Sequence, residues 1–251
     1  MTANSFVSMP LFAAPNSSSN FHPPSLPVAV MTGDTYRENG RDYHSFRRGM
    51  YMFPCDEKEK DRLDMFHKFF LVARRDSLHS APVPRHNARI LDLGCGTGIW
   101  SIDMAEHLKP GYGYFEQVEI DLEPRCDDGT LPSDSSIRLW YDALKQATAR
   151  AGKPIQYQHD TRDMLESAGF IDINETVIRV PYNTWPVDPH QKEIARWYNV
   201  GMVEALQALS LAPFTRVNGW NVDDIDGFLN RVKSEIRVRR LHGYNKMYGL
   251  L

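Results

Sequence analysis

The stretch Arg89-Ile90-Leu91-Asp92-Leu93-Gly94-Cys95-Gly96-Thr97-Gly98-Ile99-Trp100 constrains this chain more than any other. Ile90, Leu91 and Leu93 form a short apolar run that predicts a buried strand. Gly94, Gly96 and Gly98 then let the backbone take positive φ and approach a ligand with no Cβ in the way. Helical spacing from Ile99 to Glu106 places the positive end of a helix beside the turn, which favours an anion or the polar edge of a cofactor. The string differs from the dinucleotide pattern, whose third glycine follows two free positions, and from the phosphate loop, which ends in Gly-Lys-Ser/Thr. A tight strand-to-helix turn also serves structural ends, so glycine spacing alone leaves a cofactor turn and a structural turn both open.

Length and composition set the frame. A chain of 251 residues with 42% hydrophobic and 24% charged residues can bury one sizeable core. A net charge of -3 gives no overall basic field and no argument for direct nucleic-acid binding. Three cysteines, Cys55, Cys95 and Cys126, are odd in number and lack metal-ligand spacing, which fits a reducing compartment and no metal site. Cys95 is most simply a small residue in a tight turn. Residues 1–34 are rich in Ser, Pro, Asn and Ala and are expected to form a disordered tail, with the folded domain spanning 35–251. Phe6 to Ala14 lacks the basic start and long apolar core of a signal peptide, and no stretch has the length of a membrane span, so an intracellular location is expected.

Further along, Tyr36 to Tyr51 interleaves aromatics with basic residues. A nucleic-acid contact is one reading; the favoured one is an ordered arm whose aromatics pack on the domain and whose arginines pair with acids. A helix is expected from Asp56 to Arg75, with Leu63, Phe66 and Phe70 as an inward stripe that Phe69 and Ala73 widen into a broad core face, and His67 in it as a satisfied helix histidine. Ser80 to Asn87 reads as a linker. Tyr114 to Ile120 alternates like a strand, on which Glu116 and Glu119 face opposite sides and are better structural acids than a catalytic pair. Helices follow over Ile137–Ala151, after Asp160 as cap, over Pro189–Leu209 and over Val222–Lys233, with strands over Ile171–Val180 and Ile236–Tyr248. The mixture is α/β, with at most four strands.

Asp92 before Gly94-Cys95-Gly96-Thr97-Gly98 resembles the first motif of class I S-adenosylmethionine-dependent methyltransferases. Several longer strings look like the fungal LaeA family: Tyr43 to Tyr51, Pro54 to Glu57, Leu91 to Trp100, Phe115 to Asp121, Glu123 to Asp128, Ala195 to Asn199 and Leu209 to Phe214. The similarity covers the chain from Tyr36 onward. It implies a class I (Rossmann-like) methyltransferase fold and a nuclear regulator of secondary metabolism and development, with a cytoplasmic share left open. It also implies the velvet-family proteins VeA and VelB as partners, S-adenosylmethionine as cofactor and automethylation as the activity. By motif match the cofactor turn is Asp92, Gly94, Cys95, Gly96, Thr97 and Gly98; no catalytic residue is assigned. A small-molecule methyltransferase of fungal biosynthesis and a non-catalytic remnant or isoform are the alternatives.

The departure from the family falls in one place. The helix ending near Glu106 or His107 runs straight into Lys109-Pro110-Gly111, which resembles the turn before the family's fifth strand. About 80 to 100 residues, or three strand-helix units, are missing near 106–108 on the usual size of such units. An incomplete sheet and weak or lost cofactor binding follow. Asp121 falls about 20 residues past the turn, where a motif scan seeks a ribose-binding acid, but on the segment resembling the fifth strand it is the wrong acid.

Overall fold

The computed structural model describes residues 35–46, 48–82, 91–107, 116–168 and 170–251. The expected tail over 1–34, most of the linker (83–87), the Lys109–Gly113 turn and the Gly169 helix stop lie outside them. Among the described residues no helix is long and apolar enough to cross a membrane.

The arm opens the fold as a hairpin, β1 (Thr35–Glu38) paired antiparallel with β2 (Arg41–His44). Asn39 and Gly40 turn it, both at positive φ (51° and 78°), as a two-residue turn matched to strand twist requires. Tyr36 and Tyr43 stack across the pair at 5.7 Å, and Arg216 clamps both strands by pairing with Glu38 (2.6 Å), donating to the Tyr36 hydroxyl and lying over the Tyr43 ring. Tyr36, Tyr43 and Arg41 of this stretch thus serve packing and pairing, as the favoured reading holds, whereas Phe46 and Tyr51 are 64% and 50% exposed.

Helix α1 (Glu57–Ala73) starts at Asp56, whose carboxylate accepts from the Glu59 amide (3.0 Å) and from Arg41 Nε (2.6 Å) and Nη2 (2.8 Å). One side chain therefore caps the helix and ties it to the hairpin. The Arg41 guanidinium holds the Asp56 carboxyl down at about 2. Because the folded value lies below the ordinary one of about 3.9, the contribution is complete above that range and is lost as pH falls from about 4 towards 2. Asp56→Asn keeps a capping oxygen but loses the pair to Arg41. It is expected to cost about 1–2 kcal/mol at pH 7 and to flatten the acid limb of a urea-stability profile.

The inward face of α1 is the expected broad one with its depth order changed. Phe69, 0% exposed, and Ala73, expected to widen the stripe, are the buried residues, while Leu63, Phe66 and Phe70 are half-buried flanks. The reason is α5 (Pro189–Ala212), which packs along α1 with Tyr198 centred 5.0 Å from Phe69. Gly201 permits the approach, since a Cβ there would lie 2.8 Å from Phe66.

The remaining helices are α2 (Ile99–His107), α3 (Ser136–Arg150), α4 (Thr161–Ser167) and α6 (Val222–Ile236), with a π-helical turn over Pro213–Val217. Side-chain caps at Ser135, Asp188 and Asn221 start α3, α5 and α6. Asp160, the expected cap of α4, makes no capping bond, and α4 buries nothing. The core joins α1, α3, α5 and α6 to one sheet face through Phe69, Trp140, Leu206, Phe214, Val232 and Met247, and Trp140 Nε1 donates to the Ser210 hydroxyl at 2.8 Å.

That sheet has three strands in the order β3 (Gln117–Arg125), β5 (Tyr244–Leu250), β4 (Glu175–Pro181), both pairs antiparallel. With the hairpin this makes five strands among the described residues, against at most four expected. β3 runs past Ile120 through a register shift before Arg125. β4 starts late because Asp172 takes positive φ (57°), and β5 starts late because α6 continues to Ile236. The architecture is α/β with a class I methyltransferase topology whose sheet is incomplete.

Candidate functional site

The glycine turn keeps its backbone and loses its support. Gly94, Gly96 and Gly98 all take positive φ (82°, 56° and 80°), Gly98 N bonds Cys95 O at 2.8 Å, and α2 follows directly. The described part of the strand expected before it, Leu91–Leu93, is not a strand, and Ile90 lies outside the described residues. Leu91 and Leu93 belong to no strand and are 77% and 57% exposed. A strand buried in a parallel sheet needs a neighbour on each edge, and no described strand flanks this segment.

Without a sheet, the turn and α2 lean on α1. Thr97 Oγ1 donates to Asp64 at 2.6 Å, a Cβ on Gly96 would meet Leu63 at 3.4 Å, and His67 Nε2 lies 2.8 Å from Asp103. His67 is therefore a satisfied histidine, as expected. Asp92 accepts from the Ser101 hydroxyl (2.6 Å), Trp100 Nε1 donates to Leu78 O (2.8 Å), and Cys95 is exposed. Ile102, on the outward side of α2, is 62% exposed.

The structure thus brings Asp92, Gly94, Cys95, Gly96, Thr97 and Gly98 into one turn, and among the described residues no strand stands beside it. Asp121 lies on β3, 1% exposed, paired with Arg125 at 2.8 Å and accepting from the Glu123 amide at 3.1 Å. It is committed within its own strand. Glu116 is structural, bound by Arg74 and by the Ser80 (2.9 Å) and Ala81 (3.1 Å) amides. Glu119 has no ion pair or hydrogen bond among the described residues, and burial pushes its carboxyl up to about 7. A cleft of about 630 Å³ between the start of α3 and the end of α6 is lined by Ser135, Asn230, Arg231 and Glu235, with no glycine-turn residue. A nucleoside sulfonium cofactor needs a wall on each side of the glycine turn, and the described residues provide one; they do not fit the group. Among the described residues no three His, Cys, Asp or Glu side chains are placed to hold a metal.

One cluster has no counterpart in the sequence reading. Asp128, just after β3, accepts from Thr130 N and Oγ1 (3.1 and 2.7 Å) and pairs with His242 Nδ1, and the His242 ring stacks on Trp185 at 4.8 Å. The Thr130 hydroxyl, followed by His242, holds the Asp128 carboxyl well below the usual carboxylate range. The Asp128-Gly129-Thr130 turn is visible in the sequence, but its partner His242 is 114 residues away.

No solved structure matches the chain, and no protein-family model does. Curated relatives do. The chain is 46% identical over 294 positions to the secondary metabolism regulator LAE1 of Cochliobolus heterostrophus, covering 89% of this chain and 95% of that protein. It is 40% identical to the secondary metabolism regulator laeA of Aspergillus flavus, covering 85% of this chain and 76% of that protein. It is also 40% identical to the protein-methionine methyltransferase laeA of Emericella nidulans, covering 85% and 75%. In the first comparison 89% of 251 residues is about 223, so about 70 of the 294 positions have no counterpart in this chain. The same reckoning with the E. nidulans protein also gives about 70. The missing length is thus somewhat below the 80 to 100 expected. With this identity over most of both lengths, the chain belongs to the LaeA family of secondary-metabolism regulators.

Proposed function

We propose that this chain is a nuclear LaeA-type regulator of secondary metabolism and development that works through protein contacts, with velvet-family proteins such as VeA and VelB as partners, and carries out no methyl transfer itself. The observation behind it is the solvated glycine turn: Leu91 and Leu93 stand exposed where a cofactor sheet would bury them. The parts that support a partner-binding role are built. The hairpin arm is clamped by Arg216, and the core around α5 is continuous. In a complete relative, methyl transfer from a sulfonium would need chiefly alignment of donor and acceptor. A thioether acceptor carries no proton and needs no base.

Calorimetric titration with S-adenosylmethionine tests the non-catalytic part. Binding by this chain is expected to be at least about 100-fold weaker than by the E. nidulans protein-methionine methyltransferase, from the loss of several polar contacts worth about 1–3 kcal/mol each. Asp121→Ala is expected to change it little further. Tight binding that collapses in Asp121→Ala would overturn the proposal.

A further inference from the structure

Among the described residues β3 forms one edge of the sheet, since it pairs there with β5 alone. Past Asp121 that edge closes itself. Pro124 has no N–H, the Glu123 amide bonds Asp121, Asn245 Nδ2 donates to Glu123 O (3.0 Å), and Arg138 Nη1 donates to Pro124 O (3.1 Å). Gln117–Asp121 has no such closure among the described residues. Five residues is an ordinary strand length, long enough for another strand to add.

The side chains say what would add. Val118 and Ile120 pack on the core, so Gln117, Glu119 and Asp121 share the other face. That face is also met by Tyr157, stacked on Tyr248 at 4.3 Å, and by His159, 4.0 Å from Asp121. In register, Tyr248 lies opposite Glu119, Lys246 opposite Asp121, and Glu175 and Arg179 come from β4. Asp121 has Arg125, whereas Glu119 is left without a cation, in surroundings dry enough to hold its proton up to about pH 7. A second copy paired antiparallel edge to edge would set acids against acids, and like charges directly opposite destabilise a strand pair. The complementary occupant is basic.

We infer that the outer edge of β3, Gln117–Asp121, is a docking site for an extended segment of a partner protein, which adds as a fourth strand with Lys or Arg opposite Glu119 and aliphatic residues alternating beside Val118 and Ile120. Main-chain hydrogen bonds supply affinity in such strand addition, and the alternate side chains supply selectivity.

The test uses the full chain and a capped, fluorescently labelled peptide Thr-Val-Lys-Val-Arg-Val-Thr, read by anisotropy at pH 8 and pH 6. Saturable binding is expected at pH 8, at least tenfold weaker for the peptide with Glu at both basic positions. N-methylation of one alternate set of peptide amides is expected to abolish binding and methylation of the other set to leave it, because only one set faces the edge. Glu119→Gln removes a half-buried charge that has no cation beside it and so keeps the fold; it is expected to lose about tenfold in affinity together with the rise in affinity from pH 6 to pH 8. Absence of saturable binding, equal binding of the acidic peptide, equal effects of the two methylated sets, or unchanged affinity in Glu119→Gln would each overturn the inference. A dimer that protects the Val118–Ile120 amides would overturn the choice of partner.

Discussion

Splicing in after His107, where the sequence departs from the family, the residues of the E. nidulans protein-methionine methyltransferase that this chain lacks is expected to raise affinity for S-adenosylmethionine by at least about 100-fold. The segment that should become a strand, Leu91–Leu93, is already present with its glycine turn at positive φ, so the missing quantity is neighbours and not local conformation. Flanking strands would bury Leu91 and Leu93 and supply the polar contacts on the far side of the pocket. Three such contacts at about 1–3 kcal/mol each amount to about 3–9 kcal/mol, and each 1.4 kcal/mol is about a factor of ten. Calorimetry on the spliced chain and its parent is the comparison. Equal weak binding by both would mean that the turn itself is defective, and equal tight binding that the block is dispensable.

Phe69→Ala is expected to destabilise the chain by about 3–5 kcal/mol, the usual cost of removing a fully buried aromatic ring. Phe69 joins α1 to α5, with ring centroids 5.2 Å from Phe70 and 5.0 Å from Tyr198, and is wholly enclosed. Against a total stability of about 5–15 kcal/mol for an ordinary domain, this change alone would bring a truncated fold near unfolding. Leu63→Ala, on the half-buried flank, is expected to cost less than about 1.5 kcal/mol. Urea unfolding of both variants separates them; a small loss for Phe69→Ala with a large one for Leu63→Ala would put the depth of the face at Leu63 and not at Phe69.

What could be read from the sequence was local. Helices α1, α3, α5 and α6 announce themselves by a capping Asp, Ser or Asn followed by helical periodicity, and the structure places those caps at Asp56, Ser135, Asp188 and Asn221. The glycine turn is equally local and survives without its sheet. The hairpin turn is local too, carried by Asn39-Gly40 between Tyr36 and Tyr43, but its strands of four residues each are too short for alternation to mark them. What periodicity could not supply was the choice among adjacent phenylalanines: Phe66, Phe69 and Phe70 all lie near one face, and only the approach of α5 at Gly201 decides that Phe69 goes deepest. Nor could it show whether Leu91 and Leu93 are buried, because a strand's burial is conferred by its neighbours. The same reasoning applies to Glu119, an unremarkable strand acid in the sequence, whose isolation follows from the edge it occupies.

The central claim is that the glycine turn has lost its sheet, and amide hydrogen exchange at Leu91, Asp92 and Leu93 tests it most directly. A solvated segment exchanges through local fluctuations, whereas core strands open only with a free energy approaching that of global unfolding. Exchange at these three amides is expected to be near the rate of an unprotected chain, while Met247 and Tyr248 in the centre of the three-stranded sheet are slowed by at least about 1,000-fold. Protection of Leu91–Leu93 comparable to that of Met247 would contradict the claim and return the chain to the company of cofactor-binding methyltransferases.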